Sequence, residues 1–182
     1  MKSRVTVRPK VPKFSVLALD LAADRVKFTC GIEPLDRYFR TQVSQDIKRR
    51  VSACFVANDN MGQIAGYYTL ASASILLSDL PETLAKKLPR YPSVPAVRMG
   101  RLAVSDSFKG KGLGAALLAD ALRRAATAEI AAYALVVDAK DESAAGFYAH
   151  HGFIALPEQP LFLFLPLATV KSLLARQIVN TS

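Results

Sequence analysis

A glycine-rich segment at residues 109–114 has the residue types that bind an anion. Gly110, Gly112 and Gly114 stand at alternate positions just before an apolar segment with helical spacing. Glycines leave the backbone N–H groups uncovered, and a helix N-terminus attracts negative charge. Lys109 and Lys111 add positive charge beside these groups. The segment therefore predicts a site for a phosphate or pyrophosphate.

Two common phosphate-binding loops agree poorly with this segment. A P-loop requires Lys and then Ser or Thr after its last glycine, but Ala115 follows Gly114. A dinucleotide fingerprint agrees formally, with Asp138 near the expected acidic position. However, residues 105–109 separate the glycines from the preceding strand, and only 68 residues follow Gly114. We therefore expect neither loop.

Two motifs resemble those of the GCN5-related N-acetyltransferase family. One is Gly-Arg-Leu-Ala-Val at 100–104 with Lys-Gly-Lys-Gly-Leu-Gly at 109–114, where Lys109 occupies a position that is usually Gln or Arg. The other is Phe-Tyr-Ala-His-His-Gly-Phe at 147–153, about 40 residues later. The resemblance covers roughly residues 14–167. It implies acetyl-CoA as cofactor, with pantetheine along one strand and pyrophosphate on the loop. The residues so implied are Leu102, Ala103, Val104, Lys109, Gly110, Lys111, Gly112, Leu113, Gly114 and Ala115.

One family position differs in this chain. The family often has Asn seven residues before the tyrosine of the second motif, and here that residue is Asp141. The contact with coenzyme A is then either lost or supplied by Ser143.

Transfer of an acetyl group from a thioester to an amine requires a proton for the departing thiolate. By the resemblance, Tyr148 stands near the sulfur and donates this proton, a role that typically contributes about 10²–10⁴-fold to the rate. The structural alternative is that Tyr148 only packs against Phe147 and Phe153.

The candidate site lacks an obvious carboxylate base in its two central strands. Residues 96–104 contain Arg98 and Arg101 but no Asp or Glu, and residues 64–77 contain none either. A lysine amine is only about 0.1% neutral near neutral pH, whereas an α-amino group is about a quarter neutral. An arginine-lined site without a carboxylate therefore favours an α-amine attached to a polyanion. The alternatives are that both arginines pair with carboxylates elsewhere, or that a base acts through water.

A closer resemblance concerns the toxin branch of the same family. It rests on Phe-Thr-Cys-Gly-Ile-Glu-Pro-Leu-Asp-Arg-Tyr at 28–38, Gly-Tyr-Tyr-Thr-Leu-Ala at 66–71 and Gly-Arg-Leu-Ala-Val at 100–104. Those toxins acetylate the amino group of charged tRNA, and a small ribbon-helix-helix antitoxin neutralises them. The resemblance implies an aminoacyl-tRNA substrate, such an antitoxin as partner, and Tyr148 as the key catalytic residue. The alternatives are acetylation of a small amine or peptide N-terminus, and a non-catalytic binding protein with the same fold.

The net charge of +9 is consistent with a partner that carries phosphates. Cys30 and Cys54 are too few and too far apart for a metal site, and they favour a reducing cytoplasm. No apolar run approaches the roughly 20 residues that cross a bilayer. A homodimer is left open. The candidate contacts to RNA are Arg37, Arg40, Lys48, Arg49, Arg50, Lys86, Lys87, Arg90, Arg98 and Arg101.

The pattern of elements predicts an α/β domain, with a central twisted mixed sheet of six to seven strands and helices on both faces. Residues 1–13 are expected to form a basic N-terminal arm, and residues 14–182 a single domain. Strands are predicted at 14–21, 51–57, 64–77, 96–104, 134–138, 153–154 and 161–167. Helices are predicted at 32–47, 80–88, 113–130, 142–151 and 168–178.

Overall fold

The computed structural model describes residues 14–179. The predicted basic arm at residues 1–13 lies outside the described residues. No helix in the described part of the chain is long and apolar enough to cross a membrane.

A seven-stranded sheet forms the centre of the fold, in the order β1-β2-β3-β4-β5-β7-β6. All neighbouring strands are antiparallel except β4 and β5, which are parallel. The mixed sheet predicted from the sequence is confirmed. The strands are β1 (Ser15–Ala18), β2 (Ala53–Asn58), β3 (Ile64–Leu76), β4 (Ser93–Val104), β5 (Ala134–Asp138), β6 (Ile154–Leu156) and β7 (Gln159–Pro166).

Helices cover both faces of the sheet, and two adjacent tyrosines of β3 show the division. Tyr67 belongs to a buried cluster with residues of the first two helices of the chain. Tyr68 belongs to a second cluster, with residues of the last three helices. Neighbouring residues of a strand point to opposite faces, and helices cover both faces of this sheet, so both rings are fully buried. The first face carries α1 (Glu33–Thr41), α2 (Val43–Lys48) and α3 (Glu82–Ala85), and the second carries α4 (Leu113–Thr127), α5 (Glu142–His150) and α6 (Leu167–Val179).

The prediction of one helix over residues 32–47 is wrong. The chain breaks at Gln42, where φ is −114° and ψ is −33°, and α2 begins at Val43. The hydroxyl of Thr41 donates to the carbonyl of Arg37 at 2.7 Å, an arrangement that bends helices. The break turns Val43 into the core, where it is fully buried.

Other predicted elements are also longer than the observed ones, and the helix predicted at residues 113–130 ends at Thr127. The first strand is confined to Ser15–Ala18, and the helix predicted at residues 80–88 is the single turn Glu82–Ala85. Pro81 precedes that turn and Pro89 follows soon after, so few residues remain for a helix.

The side chain of Arg124 packs against the sheet and projects little into solvent. Its guanidinium donates to Asp120 Oδ2 at 2.7 Å and to the carbonyl of Val16 at 3.1 Å. The buried Tyr68 hydroxyl donates to the same carboxylate oxygen at 2.5 Å. These bonds hold α4 against β1 and β3.

Candidate functional site

Strands β4 and β5 separate halfway along β4. Their pairing ends at Met99 and Val137. Gly100 is an extra residue in β4, because Leu70 pairs with Met99 whereas Thr69 pairs with Arg101. Beyond this bulge β4 pairs only with β3, and Asp138 pairs with β7. In the described structure, the edge of residues 100–104 that faces β5 has no strand partner, so its backbone groups can bind an extended amide-containing chain.

The bulge also decides where two arginines point. Residues 98 and 101 would face opposite sides of a regular strand, but the extra Gly100 brings both side chains to the face of α1. Arg98 lies 5.8 Å from the ring centre of Phe162, and Arg101 lies 3.4 Å from that of Tyr38. Neither arginine pairs with a carboxylate within residues 14–174. The alternative in which both form ion pairs elsewhere is therefore not observed.

A cleft of about 560 Å³ opens where the two strands separate. The expectation that the site has no carboxylate is wrong, because Asp138 shares the cleft with Arg98 and Arg101. Asp138 ends β5, which lies beyond the two strands whose sequences contain no carboxylate. The lining residues are Pro34, Leu35, Arg98, Gly100, Arg101, Asp138, Ala139 and Lys140.

The ring of Tyr38 packs against the guanidinium of Arg101. The Tyr38 hydroxyl donates to Asp46 Oδ2 at 2.9 Å, which fixes the ring between α1 and α2. Burial raises the pKa of Tyr38, so the ring stays neutral beneath the cation. A guanidinium held over an aromatic face keeps its outward N–H groups available for a ligand.

The glycine-rich loop presents uncovered amides at the N-terminus of α4. Gly110 and Gly112 have φ of 73° and 78°, in the left-handed region that glycine occupies without strain. Gly112 is the N-cap residue of α4, so no capping side chain occupies the first amides of the helix. Within the described residues, no backbone acceptor meets the amides of residues 110–115. The loop therefore has the geometry of an anion site.

Lys109 does not add free charge to this loop. Its ammonium donates to the carbonyl of Cys30 at 2.5 Å and pairs with Asp106 at 2.6 Å. The side chain ties the loop to residues 28–31, and Asp106 neutralises its charge. Lys111 donates to the carbonyl of Ser107 at 3.2 Å, which stiffens the loop further.

Tyr148 lies on α5, half-buried between Phe147 and Phe153, with ring centres 5.2 Å and 5.5 Å away. Burial raises the pKa of Tyr148 to about 12, so the hydroxyl carries its proton at neutral pH. No hydrogen bond to this hydroxyl occurs among the described residues. Phe147 lies 3.9 Å from the position of a Cβ at Gly114, so α5 stands beside the start of α4. The packing contacts are present, and they leave the hydroxyl proton available.

Asp141 serves as the N-cap of α5. One of its carboxylate oxygens accepts from the amide of Ala144 at 2.8 Å, and the other lies 3.1 Å from the Lys140 ammonium. The Ala144 amide and Lys140 lower the pKa of Asp141. Ser143 is exposed in the first turn of the helix.

Asp36 is a buried carboxylate whose role was not foreseen from the sequence. It accepts from the amide of Cys30 at 2.8 Å and from the hydroxyl of Thr29 at 3.1 Å. Burial raises its pKa, but these hydrogen bonds outweigh that effect and hold the pKa below its usual value. Asp36 thus joins the loop at residues 28–31 to α1. The six-residue spacing from Cys30 to Asp36 gave no recognisable signal.

The predicted RNA-contacting residues of α1, α2 and the segment after α3 are exposed on the helices that cover the face of Arg98 and Arg101. Lys86 pairs with Glu82 at 2.6 Å, and Arg40 lies 3.6 Å from Glu33. The others have no ion pair within residues 14–174 and remain available to a polyanion: Arg37, Lys48, Arg49, Arg50, Lys87 and Arg90.

Comparison with known proteins agrees with this geometry. A family model described as an acetyltransferase (GNAT) domain matches residues 50–155. A probable toxin TacT of Sinorhizobium fredii is 32% identical over 161 residues, covering 83% of this chain and 89% of the relative. A tRNA-acetylating toxin of Mycobacterium tuberculosis is 34% identical over 155 residues, covering 84% and 92%.

Solved structures of toxins show the same fold. AtaT complexed with acetyl-methionyl-tRNAfMet has a TM-score of 0.83 and 30% identity, covering 89% of this chain and 99% of the other. A tyrosine-to-phenylalanine mutant of KacT has a TM-score of 0.81 and 28% identity, covering 88% and 98%. AtaTR bound with acetyl-CoA has a TM-score of 0.76 and 30% identity, covering 88% and 98%.

Proposed function

Because this chain belongs to the GNAT acetyltransferase family, we propose that it transfers the acetyl group of acetyl-CoA to the α-amino group of an aminoacyl-tRNA. It acts in this way as the toxin of a toxin–antitoxin pair. The observation that carries the proposal is the cleft between β4 and β5, with Arg98 and Arg101 on one face of the sheet and α5 with Tyr148 on the other.

The cofactor lies along the second half of β4 and on the glycine-rich loop. The uncovered amides at the start of α4 suit a pyrophosphate, and the unpartnered edge of β4 suits the amides of pantetheine. Acetyl-CoA supplies an acetyl group on a good thiolate leaving group. The residues proposed to hold it are Leu102, Ala103, Val104, Lys109, Gly110, Lys111, Gly112, Leu113, Gly114 and Ala115, the last seven through their backbone.

Asp141 and Ser143 differ in whether their side chains are free to bind the cofactor. Asp141 is engaged in capping α5, so we assign it a positioning role for that helix. The Ser143 hydroxyl is exposed and makes no hydrogen bond to a described residue, so it is the better candidate for a direct contact.

Tyr148 acts as the general acid. With a pKa of about 12 its hydroxyl remains protonated, and it makes no competing hydrogen bond to a described residue. It gives its proton to the departing sulfur. Two of the similar solved toxins, KacT and AtaT, carry a tyrosine-to-phenylalanine mutation, which supports a central tyrosine in this branch.

The substrate is an α-amine carried by a polyanion. Arg98 and Arg101 are cations in the cleft without ion-pair partners in residues 14–174, and such charges lower the pKa of a nearby amine. The two arginines also attract the phosphates near the acceptor end of the tRNA. The exposed basic residues of α1, α2 and residues 86–90 continue this positive surface, so RNA binding should weaken steeply with salt.

The proposed partner is a small ribbon-helix-helix antitoxin. AtaT has been solved bound to the C-terminus of the antitoxin AtaR, and AtaT and this chain share 28% identity with a TM-score of 0.75. Charged tRNA is used in the cytoplasm, where we place the protein.

Growth measurements test this function. Induced expression should arrest growth, and Tyr148→Phe should relieve the arrest because the departing sulfur loses its proton donor. Phe147→Leu, at the neighbouring position, controls for the loss of packing, and immunoblots confirm equal protein levels. A wild-type protein that leaves growth unchanged at high expression would contradict the toxin assignment.

A further inference from the structure

Asp138 is the only carboxylate that lines the cleft between β4 and β5 in the described structure. It is the last residue of β5, directly after the point at which the two strands separate. It pairs in the sheet with Phe162, whose ring lies under Arg98. By strand alternation Asp138 therefore shares the face of Arg98 and Arg101, and it lines the cleft in which the proposed function has the amine meet the thioester.

The other charged residues that line the cleft with Asp138 are all cations. Arg98, Arg101 and Lys140 are the charged groups that share the cleft with it, and α1 contributes only Pro34 and Leu35. Within residues 14–174 Asp138 forms no ion pair, while Lys140 is paired with Asp141. A carboxylate without a protein partner is thus held in a cleft that has a net positive charge.

We propose, on the premise of the function given above, that Asp138 accepts an N–H hydrogen bond from the substrate α-amino group and orients its lone pair. The arginines bind the polyanion, and Asp138 recognises the amine among them. It compensates the repulsion that Arg98 and Arg101 exert on an approaching ammonium group. The same carboxylate limits how far those cations lower the pKa of the amine.

The role of Asp138 agrees with the proton balance of the transfer. The ammonium first releases one proton to water and becomes a neutral amine with two N–H groups. One N–H is held by Asp138 as the C–N bond forms and the C–S bond of the thioester breaks. The sulfur takes the hydroxyl proton of Tyr148, and a proton leaving the nitrogen restores that hydroxyl. No other reactant is required.

The test compares Asp138→Asn with Glu142→Gln, which removes an exposed carboxylate outside the cleft lining and has the same charge change. Acetylation of aminoacyl-tRNA is followed from pH 6 to 9, and acetyl-CoA affinity is measured by calorimetry. For Asp138→Asn we expect kcat/KM to fall about 10-fold, since a charge-assisted hydrogen bond becomes a neutral one. The rising limb of the pH profile should move down by about one pH unit, because a carboxylate that raises the amine pKa is gone.

Asp138→Glu should recover part of the rate, and Glu142→Gln should match wild type. Acetyl-CoA affinity should not change in any of the three. An Asp138→Asn variant with the wild-type rate and pH limb overturns the proposal, and so does an equal loss of acetyl-CoA affinity, which would reveal a structural role. Failure of the underlying function looks different: the wild type itself then transfers no acetyl group to aminoacyl-tRNA.

Discussion

Replacement of Gly112 by Asp should weaken acetyl-CoA binding strongly, because it places a carboxylate at the proposed pyrophosphate site. No atom lies within 4 Å of a Cβ at this position, so the side chain has room and acts through charge and backbone conformation. Two unit charges about 5 Å apart repel by about 1 kcal/mol in water and about 3 kcal/mol at a protein surface. We therefore expect the Kd to rise between about 5-fold and about 160-fold.

Gly62 offers a matched control for this substitution. It has the same φ of 78°, and nothing lies within 4 Å of its Cβ position, but it belongs to the turn between β2 and β3. Gly62→Asp therefore carries the same backbone strain and the same charge change, and it should leave acetyl-CoA affinity near the wild-type value.

Calorimetric titration with acetyl-CoA at low ionic strength measures the effect. A parallel titration with acetyl-pantetheine, which lacks the pyrophosphate, isolates the charge contribution and should show little difference between the variants. Equal acetyl-CoA affinity for Gly112→Asp and Gly62→Asp would refute the assignment of the loop. Equal losses with both ligands would show that the substitution disturbs the fold instead.

Three further predictions follow from the same contacts. The pH–rate profile should show no falling limb from Tyr148 below about pH 10, because its pKa is about 12; a fall near pH 8 would contradict its role as acid. Tyr68→Phe should lower the free energy of unfolding by about 1–3 kcal/mol at pH 7, measured with urea. Burial raises the pKa of Asp120, but hydrogen bonds from Tyr68 and its arginines hold it below its usual value. That stabilisation is present above the ordinary carboxyl pKa and is lost in acid, so a Tyr68→Phe deficit that persists unchanged at pH 3 would argue against it. The double variant Lys48→Glu, Arg49→Glu should keep acetyl-CoA affinity but reduce the salt dependence of tRNA binding by about two phosphate contacts; unchanged salt dependence would remove both residues from the RNA surface.

The elements with strong local signals were predictable from the sequence. The strand at residues 134–138 has the predicted bounds, because residues 134–137 are a fully buried apolar run that ends at the charged Asp138. Helix α5 ends at His150, one residue before the predicted end, because Gly152 with φ of 92° stops it. Gln42 carried no such signal, since it has no special backbone preference. The break there depends on Thr41 and on the burial of Val43 in the core.

The candidate site was only partly accessible to sequence reasoning. The glycine-rich loop and Tyr148 belong to short motifs, whose chemistry follows from residue types at fixed spacing. The bulge at Gly100 depends on the register between β3 and β4, which no local pattern specifies. That bulge places Arg98 and Arg101 on one face. Asp138 joins them from a strand that lies next to β4 only in three dimensions.

The most direct test of the central claim is acetyl transfer from labelled acetyl-CoA to total charged tRNA. After nuclease digestion, mass spectrometry identifies which group on the 3′-terminal adenosine carries the label. We expect N-acetyl-aminoacyl-adenosine with wild-type protein, and a transfer rate at least about 100-fold lower with Tyr148→Phe. Label that appears only on small amines or peptide N-termini, with charged tRNA untouched, would contradict it.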